Sequence, residues 1–227
     1  MEEQSPYIKA LIKLHSGLKR LAPGDTDFTK RILKQLPALP ANPRIADIGC
    51  GTGASALLLA EKYQAPIKAV DFSAEFLLSL QKRAQQQGVE NLIEIIQADM
   101  DKLNWPPASI DLLWSEGAAY NIGFACALRR WRPWLAVNGL AVISEMNYFT
   151  TQPPEVVSQY MKSAYPGIRS ESQNSELIKA SGFKLLGVFR LPSKAWWHNY
   201  YNPLAENIRK FQESNDSVMQ HVIKESQ

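Results

Sequence analysis

The chain has 227 residues, 45% of them hydrophobic, with a formal net charge of +3 and a sequence pI of about 8.8. That length and apolar content suit one domain with a small appendage and exclude a disordered chain, while so weak a positive balance gives no footing to nucleic-acid binding. Cys50 and Cys126 form no CxxC pair, no apolar run reaches the roughly 18 residues of a membrane span, and the acidic start Met1-Glu2-Glu3-Gln4 lacks a signal peptide's basic opening, so a reduced, cytoplasmic protein away from membranes is expected.

Ser5-Pro6 opens the first helix, with serine as N-cap and proline at the first helical position. Ile8, Leu11, Ile12, His15 and Leu18 follow at helical spacing, and Ala22-Pro23-Gly24-Asp25 breaks the run. A second helix carries Phe28, Ile32, Leu33 and Leu36 on one face, and residues 37–43 are a proline-rich connector. Residues 1–43 thus read as a helical lid before a core domain of 44–227. The core alternates: strands at 44–48, 67–70, 92–98, 110–114 and 139–144, with helices at 54–63, from Ser73 to about 87, and at 124–135. This rhythm predicts an α/β, Rossmann-like, doubly wound and mainly parallel sheet. Residues 146–182 form a looser, partly helical insertion over the site; 183–191 reads as a sixth strand, and the chain beyond Pro203 reads as helix.

The first strand ends in Asp47-Ile48-Gly49-Cys50-Gly51-Thr52-Gly53. A strand, a glycine-rich turn and a helix together offer backbone N–H groups and a helix N-terminus to a nucleotide-like ligand. A dinucleotide turn usually has the spacing G-x-G-x-x-G, whereas here the third glycine comes one residue early. Asp47, two residues before the first glycine, would repel a pyrophosphate but suits the cationic amino-acid end of S-adenosylmethionine. Asp71, 22 residues after Gly49, can accept ribose hydroxyls, and Asp99, after the third strand, can accept from an adenine amino group.

These stretches, with Val70-Asp71-Phe72-Ser73, Gln97-Ala98-Asp99-Met100, Ser115-Glu116-Gly117 after Ile110–Trp114, and Leu135–Gly139, resemble the successive motifs of class I S-adenosylmethionine-dependent methyltransferases. The resemblance spans about 44–145, and the whole chain is most similar to the small-molecule, type-11 group, in particular to bacterial members with a Ser-Glu-Gly-Ala-x-Tyr-Asn-Ile-Gly-Phe segment. It implies that Gly49, Cys50, Gly51 and Gly53 line the methionine and ribose part of S-adenosylmethionine, that Asp71 takes the ribose hydroxyls with Phe72 beside the adenine, and that Asp99 and Met100 read the adenine edge. Ser115 and Glu116 would lie near the reactive methyl group. Ala22-Pro23-Gly24-Asp25 resembles a Gly-Pro-Gly-Ser turn that lies near the cofactor's carboxylate in that subgroup. Class I sheets usually have seven strands, so six or seven are expected here; only residues 195–201 could supply the last, and its absence is the preferred reading.

Acceptor-side candidates lie past the carboxyl ends of the strands, where open α/β sheets bind ligands. Tyr120, Asn121 and Glu145 are placed there as substrate contacts, Glu145 equally able to be a solvated loop acid. Trp197 and Tyr200 belong to an aromatic cluster that either packs as a satellite or walls an apolar pocket. Glu116 and His198 are the candidate bases, needed only if the acceptor keeps its proton; His15 reads as a satisfied core or lid residue. No spacing suits a metal. The Ser-Glu-Gly-Ala segment lacks the Asp/Asn-Pro-Pro-aromatic pattern of nucleobase amine methyltransferases, so the expected partner is a small, partly apolar metabolite. Such a protein could be a monomer or a homodimer. Two alternatives remain at this point: an NAD(P)-dependent oxidoreductase of the same fold class, and a protein that binds S-adenosylmethionine without turnover.

Overall fold

A computed structural model describes residues 5–150 and 152–226; the acidic start, from which the lack of a signal peptide is read, lies outside the described residues. Two helices come first, α1 (Pro6–His15) and α2 (Thr26–Gln35). The core follows as β1 (Ile45–Ile48), α3 (Ala54–Tyr63), β2 (Ile67–Asp71), α4 (Ala74–Gln87), β3 (Ile93–Gln97), β4 (Ile110–Ser115), α5 (Phe124–Trp131) and β5 (Leu135–Ile143). The chain continues through β6 (Asn147–Tyr148), α6 (Glu155–Ala164), β7 (Arg169–Ser170), α7 (Glu171–Ala180), α8 (Ser193–Trp196), α9 (Asn202–Phe211) and α10 (Ser217–Ser226).

The main sheet has the order β3-β2-β1-β4-β5, and every pairing in it is parallel. β1 and β4 are buried along their whole length, as central parallel strands covered on both faces must be. Alternation along them divides the core. Ile45, Leu112 and Trp114 pack with α3 and α4, whereas Ala46, Ile48 and Leu113 pack with Phe124, Leu128 and Trp131 of α5. Strand order reverses between β1 and β4, which opens a crevice beyond their carboxyl ends. The turns after β1 and β4 flank that crevice, so the topology alone sets Gly49–Gly53 opposite Ser115–Gly117.

Local chemistry fixes the helix ends. Ser5, Asp25 and Ser73 each accept a backbone N–H at the start of α1, α2 and α4. Ser170 and Gln173 form a capping box that starts α7 at Glu171, a few residues before the apolar pattern suggests. Pro133 turns the end of the helix expected over 124–135 into a short 3-10 turn that leads straight into β5.

Two expectations about the sheet are corrected. It has five strands, not six or seven. Residues 183–191 have no ladder partner among the described residues, and Leu186, Val188 and Phe189 are exposed. Alternating apolar residues report which side of a segment is covered; they do not supply a hydrogen-bonding neighbour, and without one an extended segment is not a strand. Residues 195–201 give no seventh strand either, being helical, with a π-helical turn at Trp197–Tyr201 between α8 and α9. A small parallel pair, β6 with β7, lies outside the main sheet within the 146–182 segment. No helix among the described residues is long and apolar enough to cross a membrane.

α1 does not pack on the sheet. Its Ala10 and Leu14 join Leu204 and Ile208 of α9 and Met219, Val222 and Ile223 of α10 in a cluster of their own. α2 joins the main core through Ile32 and Leu33. The stretch between α1 and α2 therefore runs from one cluster to the other, across the carboxyl end of the sheet.

Candidate active site

The glycine turn is built on hydrogen bonds and close contacts. Gly49 and Cys50 both donate their N–H to the Val70 carbonyl, at 2.8 and 2.9 Å. Gly51 donates to Asp71 Oδ2 at 2.8 Å, and Ser73 N–H donates to Asp71 Oδ1 at 3.0 Å. Asp71 is thereby aimed by the loop it helps to shape. Burial pushes its carboxyl above the usual range, while the N–H donors from Ser73 and Gly51 pull it back. Gly53 has φ +84°, and a Cβ there would lie 2.1 Å from Leu80 Cδ1. It is the N-cap of α3, and no side chain caps that helix start.

Asp47 is fully buried at the end of β1, and its Oδ2 has no hydrogen-bond partner. Burial drives its carboxyl well up; the Glu116 and Asp71 anions add to this, and the Ala56 N–H and Arg20 oppose it. An orphaned carboxylate oxygen in such a place is costly unless a donor meets it. Phe72 is exposed. Asp99 is exposed too, its Oδ1 taking the Asp101 N–H at 2.9 Å, and Met100 Cε comes within 3.3 Å of where a Gly49 Cβ would stand. Ser115 is buried, and its hydroxyl donates to Ile48 O at 2.8 Å, which stitches the end of β4 to the end of β1.

Glu116 has a crowded environment. Arg20 Nη1 lies 3.0 Å from Oε2; Thr29 Oγ1 and Trp114 Nε1 donate to Oε1 at 2.9 and 3.0 Å. Arg20 and Thr29 come from the N-terminal segment, so this carboxylate ties that segment to β4. More ties lie alongside. Thr52 Oγ1 donates to Lys19 O at 3.0 Å, Leu21 Cδ1 comes within 2.8 Å of where a Gly51 Cβ would stand, and Ala22 Cβ within 2.4 Å of the equivalent point at Gly117. Gly24 N–H donates to Ala195 O at 3.2 Å, while Asn199 Nδ2 donates to Gly24 O at 2.8 Å and to Asp25 Oδ2 at 3.1 Å. Lys194 Nζ, 3.1 Å from Asp25 Oδ2, adds a partly exposed pair.

The acceptor-side candidates divide into two groups. Tyr120, Asn121, Glu145 and Tyr200 come together: the Tyr120 ring meets Tyr165 edge-on at 6.0 Å, and Tyr165 Oη donates to Glu145 Oε1 at 2.7 Å. Asn121 Nδ2 donates to Ala118 O at 3.0 Å beside Tyr120. Tyr200 Oη lies 3.2 Å from His15 Nε2, and His15 Nδ1 lies 2.9 Å from Leu11 O. Burial lowers the His15 pKa, so the ring is neutral and the Nδ1–H donates to Leu11 O, leaving Nε2 to accept from Tyr200. His198 and Trp197 form the other group and are exposed, the Trp197 ring tilted against that of Tyr201 with centroids 5.3 Å apart. Among the described residues no His, Cys, Asp and Glu cluster suits a metal.

Residues that the sequence does not single out join the site: Arg20, Thr29, Tyr165 and Asn199. Each acts across 20 to 175 positions of chain, and only the Gly24-Asp25 break hinted that something must meet that turn.

Residues 45–139 match the family model described as a methyltransferase domain. The chain is 22% identical over 203 residues to phosphoethanolamine N-methyltransferase 1 of Zea mays, covering 89% of this chain and 39% of that one. It is 26% identical over 196 residues to trans-aconitate 2-methyltransferase of Azoarcus sp., covering 86% and 69%. A solved S-adenosylmethionine-dependent methyltransferase of Geobacter sulfurreducens in complex with S-adenosyl-L-homocysteine superposes with a TM-score of 0.82 at 16% identity, covering 100% of this chain and 90% of that one. The sheet order and the superposition show the fold of that methyltransferase, and residues 45–139, under half of the chain, are similar to a methyltransferase domain. The chain spans about two fifths of the length of the maize relative.

Proposed function

We propose that this protein transfers a methyl group from S-adenosylmethionine to a small, partly apolar metabolite. The observation that carries this reading is Asp47: a buried carboxylate with one oxygen unpartnered, at the switch point of the sheet and beneath a glycine turn. An ammonium is the donor that such an oxygen lacks, and the amino-acid end of S-adenosylmethionine carries one. Asp71, held in place by Gly51 and Ser73, is suited to the ribose hydroxyls, and Gly49, Cys50, Gly51 and Gly53 to close backbone approach. Phe72, Asp99 and Met100, after β2 and β3, would frame the adenine. Ser115 would take part through its backbone, its hydroxyl being engaged with Ile48.

When bound, the donor supplies an already activated methyl group, so the protein's work is to align an acceptor and exclude water. The 1–43 lid serves exclusion: Leu21 and Ala22 lie over the glycine turn and over Gly117. Glu116, fixed by Arg20, Thr29 and Trp114, is better suited to holding that lid on β4 than to moving a proton. His198 would need to turn inward to serve as a base. The names of the relatives include phosphoethanolamine and trans-aconitate, which fits a small-molecule acceptor.

Calorimetry with S-adenosylhomocysteine and with NADH tests the reading. Binding of S-adenosylhomocysteine and none of NADH is expected; tight binding of NADH alone would sink it.

A further inference from the structure

Glu145 follows β5 on the same edge of the sheet as Glu116. It is tied to the end of β4, because Ser144 N–H donates to Ser115 O at 3.0 Å and Gly117 N–H donates to Ser144 Oγ at 2.7 Å. One Glu145 oxygen takes the Tyr165 hydroxyl. The other, Oε2, is buried with no hydrogen-bond partner. The Met146 N–H and Arg169 both favour the anion, yet Arg169 forms no ion pair with Glu145 among the described residues and instead donates to Gly167 O at 2.9 Å. Tyr120, partly exposed, stands close enough to feel the Glu145 charge, meets the Tyr165 ring edge-on and lies within electrostatic reach of Tyr200. The neutral His15 behind Tyr200 brings no positive charge.

A desolvated carboxylate oxygen without a donor, next to tyrosine side chains, is unfavourable to an anion and favourable to an N–H cation. We propose that Glu145, Tyr120 and Tyr165 form the acceptor pocket and that the acceptor is a small amine arriving as its ammonium ion. This rests on the methyltransferase reading above. The ammonium donates to Glu145 Oε2 while its substituents lie against Tyr120 and Tyr200. Burial holds the Glu145 carboxyl above the usual carboxylate range, which brings it toward a value at which it can take a proton. One ammonium proton would pass to Oε2, giving the neutral amine and the neutral acid; the freed nitrogen lone pair would form the N–CH3 bond as the donor's S–CH3 bond breaks, leaving a neutral thioether and a methylated ammonium, and the Glu145 proton would go to solvent after turnover. A carboxylate acceptor would meet repulsion at the same oxygen.

Two probes of similar size and opposite charge test this: benzylamine and benzoate, titrated calorimetrically into the protein saturated with S-adenosylhomocysteine. Benzylamine is expected to bind about tenfold or more tightly than benzoate, and Glu145→Gln to lose about tenfold of the benzylamine affinity while S-adenosylhomocysteine affinity stays the same. Benzylamine bound no better than benzoate, or bound equally well by E145Q, overturns the proposal. If E145Q fails to fold, the comparison of the two probes on the unmodified chain decides. Normal S-adenosylhomocysteine binding without amine preference overturns this proposal alone; no S-adenosylhomocysteine binding at all overturns the methyltransferase reading and this proposal with it.

Discussion

Asp47 carries opposite consequences for stability and for binding. Its folded-state carboxyl is held above the ordinary range by burial, so the folded protein keeps a proton that the unfolded chain releases. Asp47's contribution is fully favourable below the ordinary carboxylate pKa and is lost as pH rises through the raised folded value. Glu116 and Asp71 steepen that loss, and Arg20 offsets part of it. Asp47→Asn should therefore stabilise the ligand-free protein at neutral pH by about 1 kcal/mol, roughly 2–4 °C in melting temperature, and flatten its decline as pH rises above the ordinary carboxylate range. The same change removes an anion from the proposed ammonium site, so S-adenosylhomocysteine affinity should fall about tenfold. Thermal melts over pH, with calorimetry, check both; a destabilised Asn variant with intact affinity would contradict the assignment. Asp47, Asp71 and the glycines were legible from spacing alone because their neighbours in space are their neighbours in sequence, or lie one strand away. Tyr165 was not, since nothing around it in the chain predicts that its hydroxyl meets Glu145.

Between elements, the turn joining α1 to α2 is held at both ends of the crevice. Arg20 and Thr29 fasten it to Glu116 after β4, while Asn199 in the π-helical turn fastens Gly24 and Asp25. A π-helical turn sets side chains off the α-helical register, and π-bulges recur at functional sites. Here it lets Asn199 reach the turn while Tyr200, next in sequence, reaches His15. Asn199→Ala removes two hydrogen bonds to the turn and should weaken S-adenosylhomocysteine binding several-fold, with only about 1 kcal/mol lost in global stability. Hydrogen exchange should rise over residues 18–29 and stay unchanged in β1 and β4; protection unaltered over 18–29 would show that Asn199 does not hold the lid. The sequence marks Trp196–Tyr201 as an aromatic cluster, but the aromatic residues do not disclose the π-helical turn that joins α8 to α9.

At the scale of the molecule there are two coupled bodies of apolar packing. The sheet with α2, α3, α4 and α5 forms the larger one; α1, α9 and α10 form the smaller. Residues near the two ends of the chain thus pack together, and the crossing segment between α1 and α2 is held over the crevice by both bodies. Val222 lies fully buried in the smaller one. Val222→Asp would bury an unpaired charge there and should cost about 3 kcal/mol or more, first seen as loss of protection in α1, α9 and α10. Limited proteolysis should then cut near residues 16–25 while the sheet stays intact; simultaneous loss of the sheet would mean that the two bodies unfold as one.

The sequence by itself determined the parallel core and the glycine turn with its two carboxylates, because parallel strands write themselves as short apolar runs and a nucleotide turn needs glycine where the backbone must bend and be approached. Tertiary structure alone decided the five-strand count, the packing of α1 on the C-terminal helices, the fixing of Glu116 by Arg20 and Thr29, and the unpartnered oxygen of Glu145. Each of these depends on whether a partner is present in space: a ladder neighbour, an apolar face or a hydrogen-bond donor. Periodicity along the chain reports which side of a segment is covered, and it leaves open what covers it.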